Sequence, residues 1–177
     1  MKIQNRYWDK MSQFKFEILL YNEHLSRYIS INRAIIIILA VFSSGAVASW
    51  AIWNDIGFVW ALLIALSQVL SIINEFLPYK KRIEEIPQLT HKLTIIYNEM
   101  EKDWFMVESG ELDNESINKL LYNYIEKWNI AQSDFFNTDT LPNSKLINNK
   151  AGKLKEEYFK CFFEGGEEDE PETITNT

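Results

Sequence analysis

The chain has 177 residues, 47% hydrophobic and 24% charged, which is room for about one domain. Its net charge of -7 is uneven: Glu164, Glu167, Glu168, Asp169, Glu170 and Glu172 fall in a tail without Lys or Arg, and 25 acids less these six leave 19 against 18 bases. The single cysteine, Cys161, excludes an internal disulfide, and nothing else points to an oxidising compartment.

The first element is a helix over residues 1–31. Ile3, Tyr7, Met11, Phe14, Ile18, Tyr21, Leu25 and Tyr28 follow one another at intervals of 3 or 4, a heptad-like stripe. Lys2, Arg6, Lys10, Lys15 and Arg27 decorate the other faces. A stripe this regular predicts packing in a bundle rather than a helix lying on the inner leaflet.

A transmembrane hairpin is expected over residues 32–77. Residues 34–53 form 20 positions without an ionisable side chain, enough at about 1.5 Å per residue to cross a hydrocarbon core of about 30 Å. Residues 56–77 cross back, with Asn54 and Asp55 as the turn and only Asn74 and Glu75 polar at the far end. Arg27 and Arg33 before the hairpin and Lys80, Lys81 and Arg82 after it place both termini in the cytoplasm. Trp50, Trp53 and Trp60 at the turn, and Tyr28, Phe76 and Tyr79 at the other end, fit aromatic belts. Two alternatives are a cleaved signal peptide ending at Ala46-Val47-Ala48 and two buried helices of a soluble core. The aromatic leader and the second apolar run oppose the first, and apolarity on every face opposes the second.

Within the second span Ser67, Gln68, Ser71, Asn74 and Glu75 make one polar face. Such groups need internal partners or water in hydrocarbon, so they either line a pore or bond to neighbouring helices. Two spans cannot enclose an aqueous path. A pore therefore requires a homo-oligomer, with a tetramer as the working number. Ser43, Ser44, Gly45, Ala46, Ala48 and Ser49 give the first span the small residues that close helix packing uses.

Residues 78–163 read as a cytoplasmic helical domain. Pro78 and Pro87 punctuate the exit from the membrane, and Ile86, Leu89, Leu93, Ile96, Met100, Trp104 and Val107 form a helical stripe. Ser109-Gly110 ends it, and Asp113 caps a helix carrying Ile117, Leu121, Tyr124, Trp128, Ala131 and Phe135. The two helices are expected to share an apolar seam. After a loop at 137–143, Ser144 caps a last helix ending near Phe163, and residues 164–177 read as a disordered, solvated acidic tail.

The chemistry-bearing residues are few. His24 and His91 have no partners at metal-ligand spacing, and there is no phosphate-cradling glycine loop or nucleophile elbow, so neither an enzyme, a metal site nor a cofactor is expected. Lys145, Lys150, Lys153, Lys155 and Lys160, beside Tyr158 and Phe159, could hold a nucleotide or an oligonucleotide, as could Lys80, Lys81 and Arg82. An ordinary solvated face, or attraction to an anionic leaflet, explains the same lysines.

The short N-terminal helix, the Arg33-flanked hairpin, the aromatic-bordered turn and the helical extension, over residues 26–136, resemble the SLATT family of two-transmembrane effectors of bacterial anti-phage defence. The resemblance implies a pore in the bacterial inner membrane that depolarises an infected cell, controlled by a signal from a companion nucleotidyltransferase. In size and basic C-terminal helix the chain is similar to the membrane effectors of Hailong systems, which implies single-stranded DNA oligomers as that signal. The expected fold is thus an all-α membrane protein: an amphipathic helix, a two-helix hairpin and a cytoplasmic bundle. Rival functions are a membrane-anchored helical scaffold and a phage holin.

Overall fold

The computed structural model describes residues 2–43, 58, 62, 65, 66, 68, 69, 72, 79–135 and 141–163. Among them all regular structure is helical: α1 (Lys2–Ser43), α2 (Tyr79–Glu108), α3 (Asn114–Ser133) and α4 (Lys145–Phe163). The expected turn at Asn54 and Asp55, Trp50, Trp53 and Trp60, residues 137–140 of the expected loop and the acidic tail lie outside the described residues.

α1 joins two segments that the sequence divides at residues 31 and 32. No glycine or proline occurs in it, so nothing interrupts the backbone ladder where the side chains change from striped to wholly apolar. Its 42 residues make one rod about 63 Å long. The first part is a core helix: Tyr7, Met11, Phe14 and Ile18 are buried.

α2 corrects the expectation for Pro87, which lies inside the helix instead of ending it. A helix-interior proline removes the N–H that the carbonyl of Ile83 needs, at a cost of about 3 kcal/mol. Burial of Ile86 and Leu89 on either side opposes that cost. Neighbouring carbonyls gain side-chain donors: Gln88 Nε2 donates to Glu84 O at 3.2 Å and Thr90 Oγ1 to Ile86 O at 2.9 Å. The core position expected at Ile96 is taken by Tyr97, 1% exposed, while Ile96 is half-buried. A spacing of seven between Leu93 and Met100 admits either residue, and packing chooses the larger ring.

Gly110 ends the α2–α3 turn with φ +76, the region that favours glycine. Its N–H reaches Val107 O at 3.4 Å and that of Glu111 reaches Met106 O at 3.3 Å. An added Cβ would meet nothing within 4 Å, so Gly110→Ala brings backbone strain without a clash. We expect a loss of about 1–2 kcal/mol in chemical denaturation; unchanged stability would show that the turn relaxes freely.

Asp113 caps α3 as its spacing predicts, accepting from Ser116 N at 3.3 Å. Ser144 Oγ accepts from Arg27 Nη1 at 3.5 Å, so that hydroxyl ties α4 to α1.

Named contacts fix the register of a four-helix bundle. Gln4 Nε2 donates to Val107 O at 2.8 Å and Tyr7 OH to Met100 O at 2.9 Å, so α2 runs antiparallel to α1. Arg6 meets Tyr122 while Glu17 meets Trp128 and Gln132, so α3 runs parallel to α1. Lys150 meets Glu23 while Phe159 packs on Trp8, so α4 descends again. The core therefore centres on α1 rather than on a seam private to α2 and α3. Phe14 of α1 stacks on Trp128 of α3 at 3.8 Å and 4°.

Beyond residue 28, α1 leaves the bundle. Ile36, Ile37 and Val41 are 53–55% exposed, and only 6% of its most apolar 18-residue window is buried. α1 is the one described helix long and apolar enough to cross a membrane. Burial in a soluble core does not account for it.

Candidate functional site

Of the residues expected to line a path, Ser67, Ser71, Asn74 and Glu75 lie outside the described residues. Gln68 is exposed, within a stretch where the described residues are helical and Leu62, Leu66, Val69 and Ile72 are about half exposed or more. Together with the upper half of α1 this is more bare aliphatic surface than a folded chain leaves in water.

The basic residues are sorted by the bundle register. From the Tyr7–Met100 contact, eighteen residues along each antiparallel helix, about 27 Å, bring Leu25 level with Arg82. Arg27, Lys80, Lys81, Arg82, Lys145 and Lys150 consequently collar the end where α1 emerges. This collar is partly neutralised: Lys150 Nζ lies 2.8 Å from Glu23, Lys81 Nζ 3.4 Å from Glu85, and buried Arg82 3.9 Å from the same carboxylate. Lys80 and Lys145 are exposed. Two buried oxygens here, Asn32 Oδ1 and Glu85 Oε2, have no hydrogen-bond partner among the described residues.

Lys153 and Lys155 belong elsewhere. Lys153 is exposed one face away from the core, a face it shares with Lys160, and Lys155 is half-buried. Glu156 and Glu157 lie among them, which makes a mixed solvated face rather than one phosphate site. The rings beside these lysines are also occupied. Phe159 is buried, 5.0 Å from Trp8. Tyr158 donates to Glu101 Oε1 at 2.6 Å, and Lys15 Nζ sits 3.3 Å from the centre of its ring.

That contact belongs to a polar system which sequence spacing did not single out. Glu101 Oε1 also accepts from Tyr97 at 3.0 Å. Burial pulls the Lys15 amine below its ordinary value, opposed by the charge of Glu101. On the other side of α1, Glu17 Oε2 accepts from Trp128 Nε1 and Gln132 Nε2, both at 2.9 Å, and Gln132 also donates to Tyr21 OH. Burial, with Glu17 adding to it, pushes the Tyr21 hydroxyl up to about 12. Glu17 and Lys15 flank the stripe residues Phe14 and Ile18. A charge beside an apolar stripe was the one available signal, and it is shared by every amphipathic helix.

His24 is 2% exposed at the collar end of α1. Burial first, then the Arg27 charge, lowers its pKa below the ordinary 6.5. The unfolded chain therefore binds more protons between the folded value and about 6.5, so stability rises with pH through that window and is lost as pH falls through it, with no further change from this group below the folded value. We expect the melting temperature to drop on acidification, with a smaller drop in His24→Gln; parallel curves for the two proteins would contradict this. His91, by contrast, is exposed.

Among the described residues no group of three or more His, Cys, Asp and Glu could hold a metal ion. What the collar offers chemically is charge and a direct helical connection to the apolar half of α1. No protein family, curated protein or solved structure matches the chain.

Proposed function

We propose that this protein is an oligomeric, ligand-gated pore of the bacterial inner membrane, an effector of anti-phage defence with both termini cytoplasmic. Residues 34–53 and 56–77 are its membrane hairpin, and the second span, through Ser67, Gln68, Ser71, Asn74 and Glu75, lines the ion path. A nucleotide or single-stranded DNA oligomer from a companion nucleotidyltransferase is bound at the collar, for which Lys80, Lys81, Lys145 and Lys150 supply charge. The protein is not an enzyme in this reading.

The observation that carries it is the continuity of α1. One helix serves as the central strut of the bundle and as the exposed apolar rod. A shift of the bundle is therefore delivered to the hairpin without an intervening hinge. A ligand that binds one bundle arrangement better than another can bias the hairpin by that difference in affinity.

Currents recorded from the purified chain in lipid bilayers test this reading. Conductance that depends on oligonucleotide is expected, and Ser71→Leu with Asn74→Leu should abolish it. Silence in every condition would sink the channel.

A membrane-anchored scaffold is favoured by a different observation: Phe105 and Phe162, 61% and 71% exposed, lie at the bundle end away from the collar. It predicts that the leucine substitutions leave cellular function intact while Phe105→Ser with Phe162→Ser removes it.

A further inference from the structure

Between α2 and α3 runs an open groove of about 420 Å³, floored by Ile95, Ile96, Ile130 and Ala131. Ile95 and Ile130 are 48% and 55% exposed, large aliphatic side chains held on helix surfaces that the bundle itself does not cover. Two ion pairs bridge the groove, one at each end. Lys92 Nζ is 3.3 Å from Asp134 Oδ2, and Lys127 Nζ is 2.8 Å from Glu99 Oε2. Each partner keeps roughly half of its side chain in solvent, so each retains capacity for a second opposite charge.

The arrangement of these charges is informative. α2 contributes a cation near the collar and an anion away from it, whereas α3 contributes the anion near the collar and the cation away from it. At either level the two walls are opposite in sign, and along either wall the sign reverses. A surface patterned in this way is complementary to itself. Turned by 180° about an axis parallel to the helices, a second copy brings its Asp134 against Lys92 and its Lys127 against Glu99, with Ile95 facing Ile130 across an apolar centre.

The geometry points to this groove as the contact between two copies of the chain, related by a two-fold axis along the bundle. The inference deepens the oligomeric pore reading and rests on it for the direction of the axis. Copies that share one bilayer in one orientation can be related only about the membrane normal, and α1 runs out of the bundle along it. An axis perpendicular to the helices would also match the charges, setting Lys92 against Glu99, but it would turn one hairpin away from the membrane. An isologous contact of this kind uses the same patch on both copies. The pair is also the smallest assembly with four spans.

The test uses the full chain in nanodiscs or detergent and reads mass by light scattering, independently of any current. The wild type is expected to form pairs or a tetramer assembled from two such pairs. Lys92→Glu and Asp134→Lys are each expected to weaken association by about tenfold or more, since like charges across a contact are costly, and Ile130→Asp by as much, since it puts an unpaired charge into the apolar centre. Thermal melts show whether each variant still folds. The decisive arm mixes chains: Lys92→Glu with Asp134→Lys restores pairing, because the two chains offer each other opposite charges that neither finds in its own kind. If Lys92→Glu is rescued by Glu99→Lys instead, the axis is wrong and the proposal falls. Undiminished association of the folded variants overturns the groove contact and leaves the oligomer standing. A wild type that stays monomeric overturns both, and the groove then belongs to a different protein.

Discussion

Replacing Trp128 with alanine is expected to cost about 3–5 kcal/mol, a large part of the roughly 5–15 kcal/mol that holds a domain of ordinary stability together. The ring is 1% exposed and stacks flat on Phe14 at 3.8 Å, so truncation leaves a void against α1, which the surrounding helices cannot all follow. It also takes a donor from the half-buried Glu17 carboxylate. The melting temperature of the bundle should fall by at least about 10 °C. Trp128→Phe keeps a ring on Phe14 but loses the N–H and the fused part of the indole, while Gln132 still donates to Glu17; about 1–2 kcal/mol is expected. Equal losses for the two variants would mean that the indole's N–H and extra width, not the stacked ring, dominate.

Ser30→Pro is expected to uncouple the bundle from the apolar half of α1 without unfolding the bundle. Residue 30 lies where α1 has left the core, exposed and followed by Ile31, Asn32 and Arg33. A proline there removes one backbone bond and drives its ring against the carbonyl of Ser26, costing about 3 kcal/mol of helix continuity. The buried stripe through His24 lies wholly on the bundle side, so the melt should change little. Spin labels at Ser12→Cys and Ala34→Cys, in a Cys161→Ser chain, are 22 residues apart, about 33 Å along a straight helix. A narrow distribution is expected from the unbroken rod and a broad, shorter one from the proline variant. If the chain is the ligand-gated pore proposed above, its conductance should be lost in the same variant. A narrow distribution retained by Ser30→Pro would show that tertiary contacts, not helix continuity, hold the rod straight. Gated conductance surviving a broken rod would refute coupling through α1.

Much of the bundle was legible in the sequence. The stripes through Tyr7, Met11 and Phe14, through Leu89, Leu93 and Met100, and through Leu121, Tyr124 and Trp128 all turn to the core, because burial of apolar area at a 3.6-residue period is stated by spacing alone. Asp113 and Gly110 act where they were expected, since a cap and a left-handed turn are local chemistry. Pro87 was misjudged for the converse reason: the intrinsic preference is local, but the burial of Ile86 and Leu89 that overrides it is not.

The candidate site was less legible. Spacing grouped Lys145, Lys150, Lys153 and Lys155 as one cluster, yet only the packing of α4 against α1 determines which of them reach the collar and which are turned elsewhere. Tyr158 and Phe159 likewise read as free rings until Lys15, Glu101 and Trp8, remote in sequence, closed over them. By itself the sequence determined that the chain is helical, where its core faces lie and that one long stretch is too apolar to be left in water. The tertiary structure decided that the N-terminal stripe and the first apolar run as far as Ser43 are one helix, and that this helix is the axis of the bundle. The reason is physical: periodicity and composition are properties of neighbouring residues, whereas burial of a charge, pairing of an ion and the choice of partner helix depend on surfaces brought together from distant parts of the chain.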